Sequence, residues 1–398
     1  MPYIVTKLRP RRKEVSVLDF LEDKVTLDML KPPSKFQETL TRTCYYDTIS
    51  EDTRRKINIP AYIEALKLWY ENNKRFDIED MKSLYSVFYV PKSKSTPENP
   101  KWRKITAPEP DFSAALSELK SLFELFTNGY YYHTNAFAYI KGRCCRDVGE
   151  KHINNKSNWF LKLDFSDFFG STTLDFVLRM FANVFPFSEI MKVSDGADIM
   201  QKCLRMCFLD GGLPQGTPIS PIITNIMMVP FDHTLSKGLG QLHVSVDDKH
   251  YGYVYTRYAD DLTISCKANF SIKDMIHNVE AVLDKYKAPF KLNYEKTQYG
   301  SNAGSNWILG FMLTQDHKIT VGYKRKKRLK AALNNYLMDR KNGKQWELAE
   351  IQHLHGEMEY CTHNDESAMY IIKKYSDKYR VDIIYAMRAD MRKLSKSA

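Results

Sequence analysis

The stretch Tyr255-Thr256-Arg257-Tyr258-Ala259-Asp260-Asp261-Leu262-Thr263-Ile264-Ser265-Cys266 constrains this chain more than any other. Its aromatic and β-branched residues read as two short strands, and Ala259-Asp260-Asp261 reads as the tight turn that joins them. Adjacent carboxylates with no obvious charge partner repel each other, and in a partly buried hairpin divalent cations relieve that repulsion best. The pattern therefore predicts a Mg²⁺ site. An Asp-Asp pair also serves plain turns, so the remaining sequence has to decide.

The chain of 398 residues is long enough for two or three domains, and its 43% hydrophobic content marks it as globular. An excess of 59 Lys and Arg over 48 Asp and Glu gives a net charge of +11, which favours polyanionic partners. Aromatic residues at 13%, with 25 tyrosines, favour nucleic acid over anionic membrane. Seven scattered cysteines form no disulfide framework and predict a reducing cytosol. Cys203 and Cys207, one helical turn apart, lack a second Cys/His pair and read as small core residues rather than zinc ligands. No apolar run is long enough for a signal peptide or a membrane span, which predicts a soluble cytoplasmic protein with no membrane partner.

Residues 1–60 read as an accessory N-terminal segment whose basic patch (Lys7, Arg9, Arg11, Arg12, Lys13) is either a solvated face or an RNA contact. Tyr85 to Lys92 and Lys101 to Pro108 form a strand, polar loop and strand, a hairpin with cations on both arms. Phe112, Ala115, Leu116, Leu119, Leu122, Phe123 and Phe126 recur at helical spacing. Asn135 to Arg143 is an aromatic stretch ending in a basic glycine turn, suited to touching a template or to packing. Asn158 to Asp164 is a buried-strand pattern ending on an acid, which is costly to bury unless paired or metal-bound, so Asp164 is a candidate third carboxylate. Asp167, in the turn that follows, reads as structural.

Residues 174–208 read as helical and lead into a Gly/Pro-dense loop, Gly211 to Pro221, with Gln215 at its centre and glycines that let the backbone approach a ligand. Helix and strands alternate around the acids through Tyr286, Lys296 and Trp307 to Leu313, the mark of an α+β fold rather than a doubly wound sheet. From Tyr323 the chain reads as helical, and Lys324-Arg325-Lys326-Lys327-Arg328-Leu329-Lys330 suits a helix lying along a phosphate backbone.

Asp164 in its Phe-Phe context, Leu213-Pro214-Gln215-Gly216, Tyr258-Ala259-Asp260-Asp261, Lys296 and Leu309-Gly310-Phe311, in that order, resemble the ordered blocks of reverse transcriptases. The resemblance runs from about Tyr85 to Tyr360 and includes Leu354 to Tyr360, which is similar to the thumb signature of bacterial members. It implies a right-hand polymerase fold, with fingers over 61–158, palm over 159–320 carrying a fingers-like insertion at about 174–210, and a helical thumb over 321–398. Arg257 to Ser265 is similar to the bacterial retron, group II intron and defence-associated branch. Val148-Gly149-Glu150-Lys151-His152 and Ile308-Leu309-Gly310 depart from the retron pattern, which favours a defence-associated enzyme over a retron enzyme. The sequence shows no Cys/His-rich endonuclease and no ribonuclease H domain, leaving template removal to the host.

The same resemblance implies attack of a primer 3′ hydroxyl on the α-phosphate of a dNTP. Asp164, Asp260 and Asp261 would hold two Mg²⁺ ions, and Lys296 would donate a proton to pyrophosphate. Lys92 and Arg103 would grip the triphosphate, and Phe165, Phe169 and Gln215 would line the nucleotide site. Phe169 would exclude a ribose 2′ hydroxyl, which argues against an RNA-synthesising polymerase. The complete set of acids argues against a non-catalytic RNA-binding scaffold. Lys324, Arg325, Lys327 and Arg328 would hold a structured noncoding RNA template, encoded nearby and copied into DNA, in antiphage defence.

Overall fold

The computed structural model describes residues 57–92, 96, 98, 100–127 and 132–397. The expected N-terminal segment up to residue 56, with its basic patch, lies outside them. The chain divides into two compact units, one running to Cys144 and resuming over Asn158–Gly300, the other made of Cys145–Ser157 and Ser301 onward.

In the first unit, helix α1 (Ile59–Asn73) precedes a hairpin of β1 (Tyr85–Pro91) and β2 (Trp102–Pro108), and α2 (Pro110–Thr127) follows. The apolar spacing read in α2 is real: Phe112, Leu116, Leu119, Phe123 and Phe126 are all fully buried. Helix α3 (Cys145–Asn154) then leaves for the second unit, and β3 (Trp159–Asp164) returns to the first. After β3 come the single turn α4 (Phe168–Ser171) and the helices α5 (Leu174–Phe181), α6 (Phe187–Lys192) and α7 (Ser194–Arg205). Helices α8 (Ser220–Met227) and α9 (Val229–Gly240) are largely buried, their polar residues Asn225 and Asp232 included.

Strands β4 (His243–Val246), β5 (Lys249–Tyr258) and β6 (Asp261–Cys266), helix α10 (Ile272–Lys285) and strand β7 (Gln298–Ser301) complete this unit. The sheet order is β4-β5-β6-β3-β7, with β3 and β5 antiparallel on either side of β6. Strand β6 is central and buried along its length after Asp261, consistent with its run Leu-Thr-Ile-Ser-Cys. Cys203 and Cys207 are 0% exposed, as expected of core cysteines, and burial pushes both thiols up.

In the second unit, β8 (Asn306–Ile308), β9 (Phe311–Leu313) and β10 (Ile319–Thr320) form a small antiparallel sheet, followed by α11 (Tyr323–Lys341), α12 (Leu348–Asn364), α13 (Glu366–Tyr379) and α14 (Ile383–Ser397). Leu309 and Gly310 are the two-residue turn between β8 and β9, both at positive φ (48° and 89°). Helix α3 packs on this sheet. A Cβ at Gly149 would lie 3.1 Å from Ile319 Cδ1 and 3.3 Å from Leu313 Cδ2, so only a small residue lets the helix sit so close. No described helix is long and apolar enough to cross a membrane.

Candidate active site

The strand register gathers the acids. Asp164 ends β3 opposite Asp261, which begins β6, and Asp261 in turn pairs with Tyr258 across the two-residue turn Ala259-Asp260. Ala259 takes a positive φ of 56°, as tight hairpin turns demand of their first central residue. The Phe165 amide donates to the Asp260 carbonyl at 3.3 Å, tying the end of β3 to that turn.

A second segment fixes Asp164 from the other side. The Asn293 amide donates to the Asp164 carbonyl at 2.7 Å, and the Ser166 amide to the Lys291 carbonyl at 2.8 Å. Asn293 also caps the single 3₁₀ turn Tyr294–Lys296, which carries Lys296 over the acids. Its ammonium donates to Asp164 Oδ2 at 2.7 Å. That contact and the negative charges around it raise the Lys296 pKa.

The remaining carboxyls are crowded. Lost hydration and, more weakly, Asp164 raise the Asp260 pKa, against Lys296 and Arg103. Asp261 is pushed up to about 6, first by lost hydration and then by Asp260 and Asp164. Among the described residues no three Asp, Glu, His or Cys side chains close into a ready metal cage, and Lys296 occupies one oxygen of Asp164. The donor chemistry nevertheless fits Mg²⁺, which takes one or two carboxylates and completes its shell with water and substrate phosphate. Three hard oxygen donors that repel one another are suited to that use.

The Gly/Pro loop joins three parts of the site. The Thr106 amide in β2 donates to the Gln215 carbonyl at 2.7 Å, and the Leu213 amide donates to the Phe169 carbonyl at 2.9 Å. At Gly212 a Cβ would lie 2.2 Å from the Gly170 carbonyl oxygen, so a side chain there would push the loop off the Phe169 turn. Gly216, at φ 123°, lies against Ile105 and Thr106. One loop thus links the turn bearing Phe169 to the strand bearing Arg103. Arg103 is exposed and within electrostatic reach of Asp260. Gln215 and Phe169 are half-buried, and Lys92 is exposed at the end of the hairpin ladder, its amide donating to Lys101.

Two expectations need correction. The Phe165 ring is 1% exposed and packs against Phe168, Phe231 and Phe290, so its side chain serves the core instead of lining a nucleotide site. In the second unit, Arg325 donates to both oxygens of Glu357, at 3.0 and 2.7 Å, and lies 4.0 Å above the Tyr360 ring. That guanidinium is committed to holding α11 on α12, whereas Lys324, Lys327 and Arg328 are exposed. Asp167 occupies the position before α4 without a side-chain cap bond, and its carbonyl accepts from the Ser171 amide and hydroxyl, both at 2.8 Å.

Sequence reasoning missed the support behind the acid turn. Arg257 and Asp232 form a two-point ion pair, Nε to Oδ1 at 2.8 Å and Nη2 to Oδ2 at 2.7 Å, with both side chains 0% exposed. Tyr255 donates to Asp232 Oδ1 at 2.7 Å, and Arg257 Nη1 donates to the Ala259 carbonyl at 3.1 Å. Asn225 Nδ2 donates to the Ala138 carbonyl at 2.7 Å. A legible signal existed: Asn225 lies within the largely apolar run Ile222–Phe231 and Asp232 directly follows it, and polar groups buried in such a run need partners.

Residues 90–324 match the family of reverse transcriptases, RNA-dependent DNA polymerases. The Retron Ec83 reverse transcriptase of Escherichia coli is 26% identical over 314 residues, covering 74% of this chain and 91% of that protein. The Retron Ec73 reverse transcriptase of E. coli is 26% identical over 207 residues, covering 51% of this chain; the chain spans 62% of that protein. The Retron Mx65 reverse transcriptase of Myxococcus xanthus is 28% identical over 217 residues, 50% of this chain and 45% of that protein. The match to the family takes in more than half of the 398 residues, and the chain belongs to the reverse transcriptases.

Proposed function

We infer that this protein is an RNA-directed DNA polymerase of the bacterial retron type that extends a primer 3′ hydroxyl with dNTPs. The observation that carries the reading is the register of Asp164 against Asp261, with Asp260 in the adjoining turn and Lys296 bonded to Asp164. In each addition the primer 3′ hydroxyl loses its proton to solvent, its oxygen forms a bond to the α-phosphorus, and the bond from that phosphorus to the bridging oxygen breaks, releasing pyrophosphate. Mg²⁺ held by the three carboxylates would stabilise the charge that develops on the attacking and leaving oxygens.

The chain's own residues do the positioning. Arg103 offers planar two-point contacts to the triphosphate, and Lys92 offers a point charge. Lys296, kept protonated by Asp164, stands ready to give a proton to the departing pyrophosphate. Phe169 presents an apolar wall on the sugar side, and Gln215 orients the base pair from the loop.

The template is a dedicated structured RNA, and the setting is antiphage defence in the bacterial cytoplasm. The named relatives are retron enzymes, the chain carries +11, and the start of α11 exposes Lys324, Lys327 and Arg328. A retron role, with DNA left joined to its RNA, is the second reading, favoured by those relatives. Purified protein given an RNA template, a DNA primer and dNTPs should extend the primer with Mg²⁺ and stop with EDTA. Sequencing the nucleic acid bound in the native cell should find one dominant RNA; a broad sample of transcripts would overturn the dedicated template.

A further inference from the structure

The aromatic stretch before the second unit has a role that none of the site residues above absorbs. Its backbone is fastened to the acid hairpin: the Arg257 amide donates to the Asn135 carbonyl at 2.7 Å, and the Phe137 amide donates to the Arg257 carbonyl at 2.9 Å. Asn225 holds the Ala138 carbonyl, and Arg143 Nη1 donates to the carbonyls of His133, at 2.7 Å, and Ala136. Ala136, Phe137, Ala138 and Ile140 are buried, so the stretch is anchored on both sides of Tyr139.

Tyr139 itself is 53% exposed and has a φ of 59°, in the left-handed region that is uncommon for a bulky residue, though ten other described non-glycine residues share it. Backbone strain of this kind persists where its surroundings over-determine it, and it clusters at ligand sites. Ala136 bridges Arg257 in parallel, so the stretch runs alongside the strand that leads into the acid turn, with Tyr139 three residues beyond one partner and Asp260 three residues beyond the other. A packing role would bury the ring, and a solubility role would not hold it in a strained, doubly anchored loop beside the acids.

We propose that Tyr139 is a nucleobase-stacking residue of the insertion site. Every base offers a π-face, so stacking of this kind is tolerant of sequence, as a polymerase needs. The anchors on Arg257 and Asn225 fix the ring relative to the acid turn, so the stacked base and the reacting phosphate are registered by the same buried groups. The base belongs either to the incoming nucleotide or to the template strand.

This assignment rests on the polymerase activity inferred above, and the experiment separates the two. Wild type, Tyr139→Phe and Tyr139→Gly are compared for kcat and KM in single-nucleotide insertion, for Kd of template–primer without dNTP, and for Tm. Glycine suits the positive φ, so it removes the ring without adding strain. Tyr139→Phe should stay within about twofold of wild type, and Tyr139→Gly should lose about tenfold with its Tm retained. A rise in KM alone assigns the stacked base to the incoming nucleotide; a rise in Kd assigns it to the template. An active wild type with Tyr139→Gly unchanged in both overturns the stacking role alone, as does a Phe variant as impaired as the Gly variant. A silent wild type refutes the activity and this assignment together.

Discussion

Arg257 and Asp232, twenty-five positions apart, meet as a fully buried two-point ion pair, and the same guanidinium grips the carbonyl of the acid turn. Pairs of this kind add little net stability but cost much when one partner is removed, because the other charge stays buried. Asp232→Ala should destabilise the first unit by about 3–5 kcal/mol in urea unfolding. Tyr255→Phe, which deletes one bond to the carboxylate, should cost about 1.5–3 kcal/mol. Losses below about 1 kcal/mol for both would mean the pair is a bystander.

A pH dependence follows from Asp261, whose pKa is raised from 3.8 to about 6 in the fold. A carboxyl with a raised pKa prefers its proton in the folded state, so on this group's account the metal-free fold loses stability as pH rises from about 4 to about 6, and changes no further above that. Mg²⁺ competes for the same oxygens. Isothermal titration should find binding coupled to proton release near pH 5.5 and not near pH 8 (both approximate settings). Equal proton release at both would contradict the crowding of Asp261 by Asp260 and Asp164.

Phe169 tests sugar choice. An apolar wall discriminates a hydroxyl only by occupying its space. Phe169→Val should raise ribonucleotide incorporation relative to deoxyribonucleotide, measured as the ratio of kcat/KM in single-nucleotide extension. An unchanged ratio would reduce Phe169 to a packing residue beside Phe168.

The start of α11 divides into two roles. Neutralising Lys324, Lys327 and Arg328 together should weaken RNA binding and flatten its salt dependence, by roughly 0.7–0.9 in the log–log slope for each phosphate that no longer meets a cation. Arg325→Ala should instead lower Tm, because it breaks the pair with Glu357 and uncovers Tyr360. A salt slope that moves with Arg325 and not with the other three would reverse the assignment.

Much of this molecule was readable in advance because its signals are local. The Asp-Asp turn, the buried strand ending in Asp164 and the helical spacing of Phe112 to Phe126 each follow from period and turn chemistry. The excursion of α3 into the second unit was not readable, since it depends on Gly149 meeting Ile319 and Leu313 some 160 residues away, which no local pattern records. Phe165 illustrates a different limit. Next to an acid it looks like a site residue, but strand alternation turns its ring to the core side, among Phe168, Phe231 and Phe290. Arg325 looked like a free cation because its partner, Glu357, lies on another helix.

The central claim is that the carboxylates gathered by β3 and β6 perform nucleotide addition, and the most direct measurement is primer extension by the Asp260→Ala, Asp261→Ala double variant on an RNA template with Mg²⁺. Extension should fall by at least about a thousandfold, the scale expected when stabilisation of the developing charge is lost. RNA binding and Tm should hold or rise, since removing two crowded acids relieves repulsion in the metal-free fold. Extension near the wild-type rate by a folded double variant would contradict the account.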